Sequence, residues 1–162
     1  MKSKFFFSLL FLLTLFCRAQ NTCKAVFIKD TLFLPMESKT VTGEYLEAVL
    51  KNRSVVRLFK TNTNRYYLKL FVTENLYFEK IDQLEVQSGS KSFYEPKIKQ
   101  YELNKSTGFY IFEILKNYVG TLKDEGITSI IFGKAVTNFS RQDVNQIKQI
   151  SKCLYETIIE KK

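Results

Sequence analysis

Glu113 is the residue of this chain best placed to do acid–base chemistry. It sits between Phe112 and Ile114 in a run, Phe109 to Leu115, that is otherwise free of charge. Desolvation in such a run raises the pKa of a carboxyl, as a general acid working near neutral pH requires. Glycoside hydrolysis needs a second carboxylate about 5–10 Å away. Glu85 and Glu102, on neighbouring predicted strands, are the candidates to supply it. The competing reading is that Glu113 faces solvent at a sheet edge or pairs with a lysine.

Other chemistries are narrowed by what the chain lacks. It contains no histidine, which excludes Ser-His-Asp and Cys-His catalysis, since both use imidazole as the general base. Zinc, copper and non-haem iron sites that need histidine are excluded with them. Gly-rich phosphate loops, paired CxxC motifs and Asp-rich calcium loops are also missing. No cofactor and no metal are expected, and the balance leans away from an enzyme.

A second constellation is built for binding. Along Lys91-Ser92-Phe93-Tyr94-Glu95-Pro96-Lys97-Ile98-Lys99-Gln100-Tyr101 lysines alternate with aromatics. Aromatic faces stack on sugars or bases while ammonium groups hold anions. Lys91, Phe93, Tyr94, Lys97, Lys99 and Tyr101 are therefore candidate binding residues. Arg53, Arg57, Lys60, Arg65, Tyr66 and Tyr67 add to them from an earlier hairpin. The plainer explanation is a half-buried strand pair with aromatics inward and lysines outward.

Residues 1–19 set the compartment. Lys2 and Lys4 precede an apolar run from Phe5 to Phe16, and Cys17-Arg18-Ala19 places small residues before a cut at Gln20. That is the order of a secretory leader, and a run of about twelve apolar residues is too short to span a bilayer. The alternative is a lipoprotein acylated at Cys17, although Phe16 stands where a lipobox has a small residue. No later segment is apolar for long enough to cross a membrane. Cleavage leaves residues 20–162 as one domain and removes three of 25 basic residues but none of 16 acidic ones, so 22 stand against 16 for a net +6. This excess favours anionic partners, acidic glycan or lipopolysaccharide ahead of nucleic acid in an exported chain. Cys23 and Cys153 remain, and an oxidising compartment lets them pair.

These groups must be positioned by a mostly antiparallel α+β domain. Ala25–Ile28 and Leu32–Leu34 read as short strands, and Gly43–Lys51 is ambiguous between helix and strand. Arg53–Lys60 and Arg65–Thr73 form a hairpin across the polar turn Thr61–Asn64. Further strands are predicted at Gln83–Gln87, Ser92–Glu95, Ile98–Leu103, Phe109–Leu115, Ile127–Phe132 and Ala135–Phe139. Between Phe109–Leu115 and Ile127–Phe132 falls a short helix, Asn117–Lys123, stopped by Gly126. Ser140 and Asp143 are spaced as a capping box before a final amphipathic helix with Val144, Ile147, Ile150, Leu154, Tyr155 and Ile158 on one stripe. Cys153 falls on its polar side, a position that asks for a covalent partner. About seven to nine short strands closed by this helix, compatible with a sandwich, are expected. The functional expectation is an exported, non-enzymatic domain that binds a protein or an anionic envelope component. A small carboxylate-dependent glycan hydrolase using Glu113, or a structural envelope protein, are its alternatives.

Overall fold

The computed structural model describes Cys23, residues 25–34, 37–51, 53–73, 84–95, 100–104, 107–132 and 135–159; for some strand residues, Tyr94, Tyr101 and Glu102 among them, only backbone pairing is described. The leader and its cleavage site lie outside these residues. The chain is α+β. Its strands are β1 (Ile28–Leu34), β2 (Lys39–Val49), β3 (Val55–Thr61), β4 (Tyr66–Thr73), β5 (Leu84–Ser88), β6 (Lys91–Glu95), β7 (Gln100–Asn104), β8 (Thr107–Ile114), β9 (Ser129–Phe132) and β10 (Ala135–Asn138). Helix α1 is Lys116–Glu125 and helix α2 is Arg141–Ile159. The strands form two antiparallel sheets, one ordered β1-β2-β3-β4-β8-β7 and the other β10-β9-β5-β6. Ten described strands exceed the seven to nine expected.

The hairpin forms where the polar tetrad predicts it. Asn64 takes φ 59°, a left-handed conformation that asparagine tolerates. The Thr61 hydroxyl accepts the N–H of Arg65 at 3.0 Å, which closes the loop. The ambiguous Gly43–Lys51 stretch is strand as far as Val49, and its burial alternates with period two: Leu46 and Ala48 are buried on one side, while Glu47 and Val49 look the other way. Ala25–Ile28 and Leu32–Leu34 are not two strands. Their central residues Lys29-Asp30-Thr31 look like a break but pair with Thr42-Gly43-Glu44, giving one edge strand from Ile28.

Helix α2 starts on the expected box. Asp143 N–H donates to Ser140 Oγ at 3.2 Å, and Ser140 N–H donates to Asp143 Oδ2 at 3.2 Å. Ile147, Ile150, Leu154 and Ile158 bury the stripe, whereas Val144 and Tyr155 are half-buried. The helix packs on β2, β3 and α1. Helix α1 stops at Gly126, whose φ of 70° and 2.7 Å clearance from the Val144 carbonyl to a built Cβ both require glycine. One continuous core unites Leu46, Leu58, Leu68 and Tyr110 of the larger sheet with Leu84 and Val86 of the smaller and with Leu122, Ile147 and Leu154 of the helices.

The disulfide between Cys23 and Cys153 is present, with Cα atoms 5.1 Å apart. Cys153 is nonetheless buried, not on an open polar face as the helical wheel suggests. The segment around Cys23 and Ala25 packs against that side of α2 and covers it.

Candidate functional site

Glu113 ends β8 opposite Tyr67 of β4 and is exposed. The Arg65 guanidinium takes both its oxygens, Nε to Oε1 at 2.9 Å and an Nη to Oε2 at 2.5 Å. The same guanidinium holds Glu37 at 2.7 Å, and Lys39 closes on Glu37 from the other side. Hydrogen bonds from Arg65, then Lys39, hold the Glu37 carboxyl down at about 2, and the two carboxylates push Arg65 upward. Glu113 is not shielded as its apolar neighbours suggest, because its side chain lies on the sheet face turned away from α2 and is 42% exposed.

The structure brings neither Glu102 nor Glu85 to Glu113; the carboxylate beside it is Glu37, across the Arg65 guanidinium. Glu102 lies opposite Gly108, five residues along β8 from Glu113, a separation of about 17 Å at strand rise. Glu85 belongs to the other sheet, where Ser92 Oγ donates to its carboxylate at 2.6 Å.

The lysine–aromatic stretch is divided between the sheets. Lys91, Phe93 and Tyr94 are in β6 of the smaller sheet, and Tyr101 is in β7 of the larger. Lys91 is exposed, its Nζ 3.5 Å from Thr121 Oγ1. Phe93 is a core residue, 5% exposed, with its ring 4.1 Å from that of Tyr118. It is therefore unavailable as a stacking platform. Lys97 and Lys99 lie outside the described residues. From the hairpin, Lys60 is buried and donates to Thr157 Oγ1 at 3.1 Å, Tyr66 is core, and Arg53 is exposed with a φ of 63°.

The stacked cations and rings occur instead on the face of the larger sheet that turns away from α2. Cross-strand pairing aligns Glu47, Arg57, Lys69 and Ile111 in one row, and Tyr45, Phe59, Tyr67 and Glu113 in the next. Phe71 pairs with Phe109, and Tyr101 occupies the next register position. Arg57 lies 4.5 Å above the Tyr45 ring and 4.9 Å from that of Phe71, with Glu47 at 2.6 Å. Lys69 Nζ is 4.6 Å from the Phe71 and Phe109 ring centres. It has no ion pair among the described residues, and burial, then the Arg57 charge, push its pKa down against the opposing pull of the Asp30 carboxylate. Beside it Tyr67 is 3% exposed, its hydroxyl buried without a hydrogen-bond partner among the described residues. Burial, then the Glu113 charge, push Tyr67 up to about 12, so it stays a donor.

Lys69, Phe71, Phe109 and Tyr45 did not stand out as binding residues in the sequence. The alternation Tyr67-Lys69-Phe71 was the only local signal; the pairing of β4 with β8, which adds Phe109, is a long-range event. The fold and this face together define an α+β domain with a half-buried cationic–aromatic sheet surface. No protein-family model matches the chain, and no curated protein or solved structure matches it.

Proposed function

We propose that this chain is an exported, non-enzymatic binding domain whose cationic–aromatic sheet face takes an acidic glycan of the cell envelope. The observation that carries the reading is Lys69, a half-buried ammonium between two phenylalanine rings with Arg57 beside it and no ion pair among the described residues. Aromatic rings offer flat apolar area to the C–H faces of sugars, and the two cations attract carboxylates where water is partly excluded. Export is supported by the leader pattern and by the disulfide, which persists in oxidising compartments. The hydrolase alternative has no comparable support, since Arg65 occupies both oxygens of Glu113.

The test is titration with oligogalacturonate, with neutral dextran as control. Binding should be salt-sensitive and restricted to the acidic chain, and Lys69→Gln should weaken it about tenfold, as expected for loss of a partly desolvated charge contact. Equal affinity of Lys69→Gln and wild type, or equal binding of dextran, would refute the assignment.

A further inference from the structure

The outer edge of β2 is only partly used. Leu50 donates its N–H to Ser54 across the β3 side, and Thr42 accepts from Asn62 on that same side. Main-chain groups alternate along an antiparallel strand, so the even-numbered residues of β2 bond to β3 and the odd-numbered ones face the opposite edge. Along that edge β1 takes Lys39 to Tyr45, its register starting with Ile28 against Tyr45. Farther along, the N–H of Lys51 is taken by Asp143 Oδ1 at 3.0 Å. Between the two, the main-chain groups of Glu47 and Val49 have no strand beside them among the described residues. Residues 25–27 leave the sheet here and head for the disulfide.

This gap opens into a cleft of about 630 Å³ walled by Ala48, Val49, Gln146, Gln149, Ile150 and the Cys23–Cys153 bridge. Gln146 Oε1 is buried there with no hydrogen-bond partner among the described residues. Val49 is 57% exposed. Of the charged lining groups Glu47 is already paired with Arg57 at 2.6 Å, whereas Glu156 and Lys152 have no ion pair among the described residues.

We propose that this gap docks an extended peptide segment of a partner protein, added to β2 as a short strand in continuation of β1. Its main chain pairs with Glu47 and Val49, the use of an open sheet edge that strand addition makes. A side-chain amide, from asparagine or glutamine, donates to Gln146 Oε1. A lysine or arginine faces Glu156, and an apolar side chain covers Val49. The bridge holds the cleft open by tying the departing N-terminal segment to α2. This site is separate from the Lys69 face and does not depend on it.

The experiment uses an array of immobilised seven-residue peptides combining asparagine or glutamine with lysine or arginine among strand-forming residues. The tightest binder should slow hydrogen exchange at the Glu47 and Val49 amides of the oxidised protein. N-methylation of those peptide amides that face β2 should weaken binding about tenfold or more, whereas methylation at alternate positions should not. Val49→Pro removes one outward donor that no described strand uses, a substitution that edge positions tolerate, and should weaken binding similarly at unchanged thermal stability. Absence of any binder, protection confined to other amides, or indifference to the methylation register would overturn the proposal. The methylation series reads the wild-type protein, so it decides the question even if Val49→Pro disturbs folding.

Discussion

Replacing Asp143 by alanine tests whether the start of α2 is tied to the sheet as the hydrogen bonds indicate. Asp143 is 5% exposed although it lies in the first turn of a helix. Oδ2 accepts from the N–H and hydroxyl of Ser140, and Oδ1 accepts the N–H of Lys51 at 3.0 Å. Alanine removes the reciprocal half of the capping box, worth about 1 kcal/mol. It also removes a carboxylate bond to a part-buried main-chain donor, worth about 1.5–3 kcal/mol. Together the loss should be about 3 kcal/mol, or about 10 °C in Tm for a domain of this size. Urea unfolding followed by far-UV circular dichroism measures it, since the chain lacks tryptophan. Burial alone pushes the Asp143 carboxyl up, but the Ser140 hydroxyl and the main-chain donors of Lys51 and Ser140 outweigh it and hold the carboxyl below its ordinary value. A carboxyl depressed in the folded state adds stability above its unfolded pKa and loses it as pH falls through the folded one. The gap between wild type and Asp143→Ala should therefore be full at neutral pH and close in acid below the ordinary aspartate range. A loss under about 1 kcal/mol, or a gap that persists into strong acid, would refute the reasoning.

Two further outcomes follow from the covalent and ionic ties. The paired Cys23→Ser, Cys153→Ser variant should lose about 2–5 kcal/mol in the same urea assay, because the bridge spans 130 residues and closing so long a loop constrains the unfolded chain; equal stability of oxidised wild type and variant would show that the tie is not formed in solution. Carbon-detected NMR titration should find the Glu37 carboxyl with a midpoint near 2 in wild type and back in the ordinary glutamate range in Arg65→Ala, since Arg65 is the first cause of its depression; a midpoint unmoved by that substitution would mean that Lys39 alone suffices.

What could be read from the chain beforehand depended on how local the cause is. The β3–β4 hairpin and the start of α2 were legible because Thr61–Asn64 and Ser140–Asp143 carry their own hydrogen-bond logic within a few residues. The extent of β1 was not, since Lys29-Asp30-Thr31 is polar for the reason that an edge strand faces water on one side. Glu113 misled because its neighbours are apolar while its partner, Arg65, lies 48 residues earlier. Phe93, a candidate stacking ring in the sequence, takes the inward position of the plainer reading, with Tyr118 of α1 against it. The cysteines were read correctly as a pair, yet the burial of Cys153 depends on the segment that the bridge itself draws in.

The two faces of the larger sheet are occupied on different terms. Toward α2, Leu46, Leu58, Leu68 and Tyr110 are excluded from solvent in one apolar core, the arrangement that stability alone would select. On the other face Leu32, Leu34, Tyr45, Phe59 and Tyr67 make a second, smaller cluster, and beside it stand Arg57 and Lys69. Burial and the Arg57 charge both work against a protonated Lys69, and an unpaired buried hydroxyl such as that of Tyr67 costs free energy as well. Methionine and phenylalanine at those two positions would keep the volume and remove both penalties. Contact with the Phe71 and Phe109 rings offsets the first only in part, since a cation–π pair is worth about 0.5–1 kcal/mol where water still reaches it. On the proposed reading an anionic ligand over this face relieves the first penalty by pairing with the Lys69 ammonium. The unfavourable charge on this face thus points to the same ligand chemistry as its favourable groups.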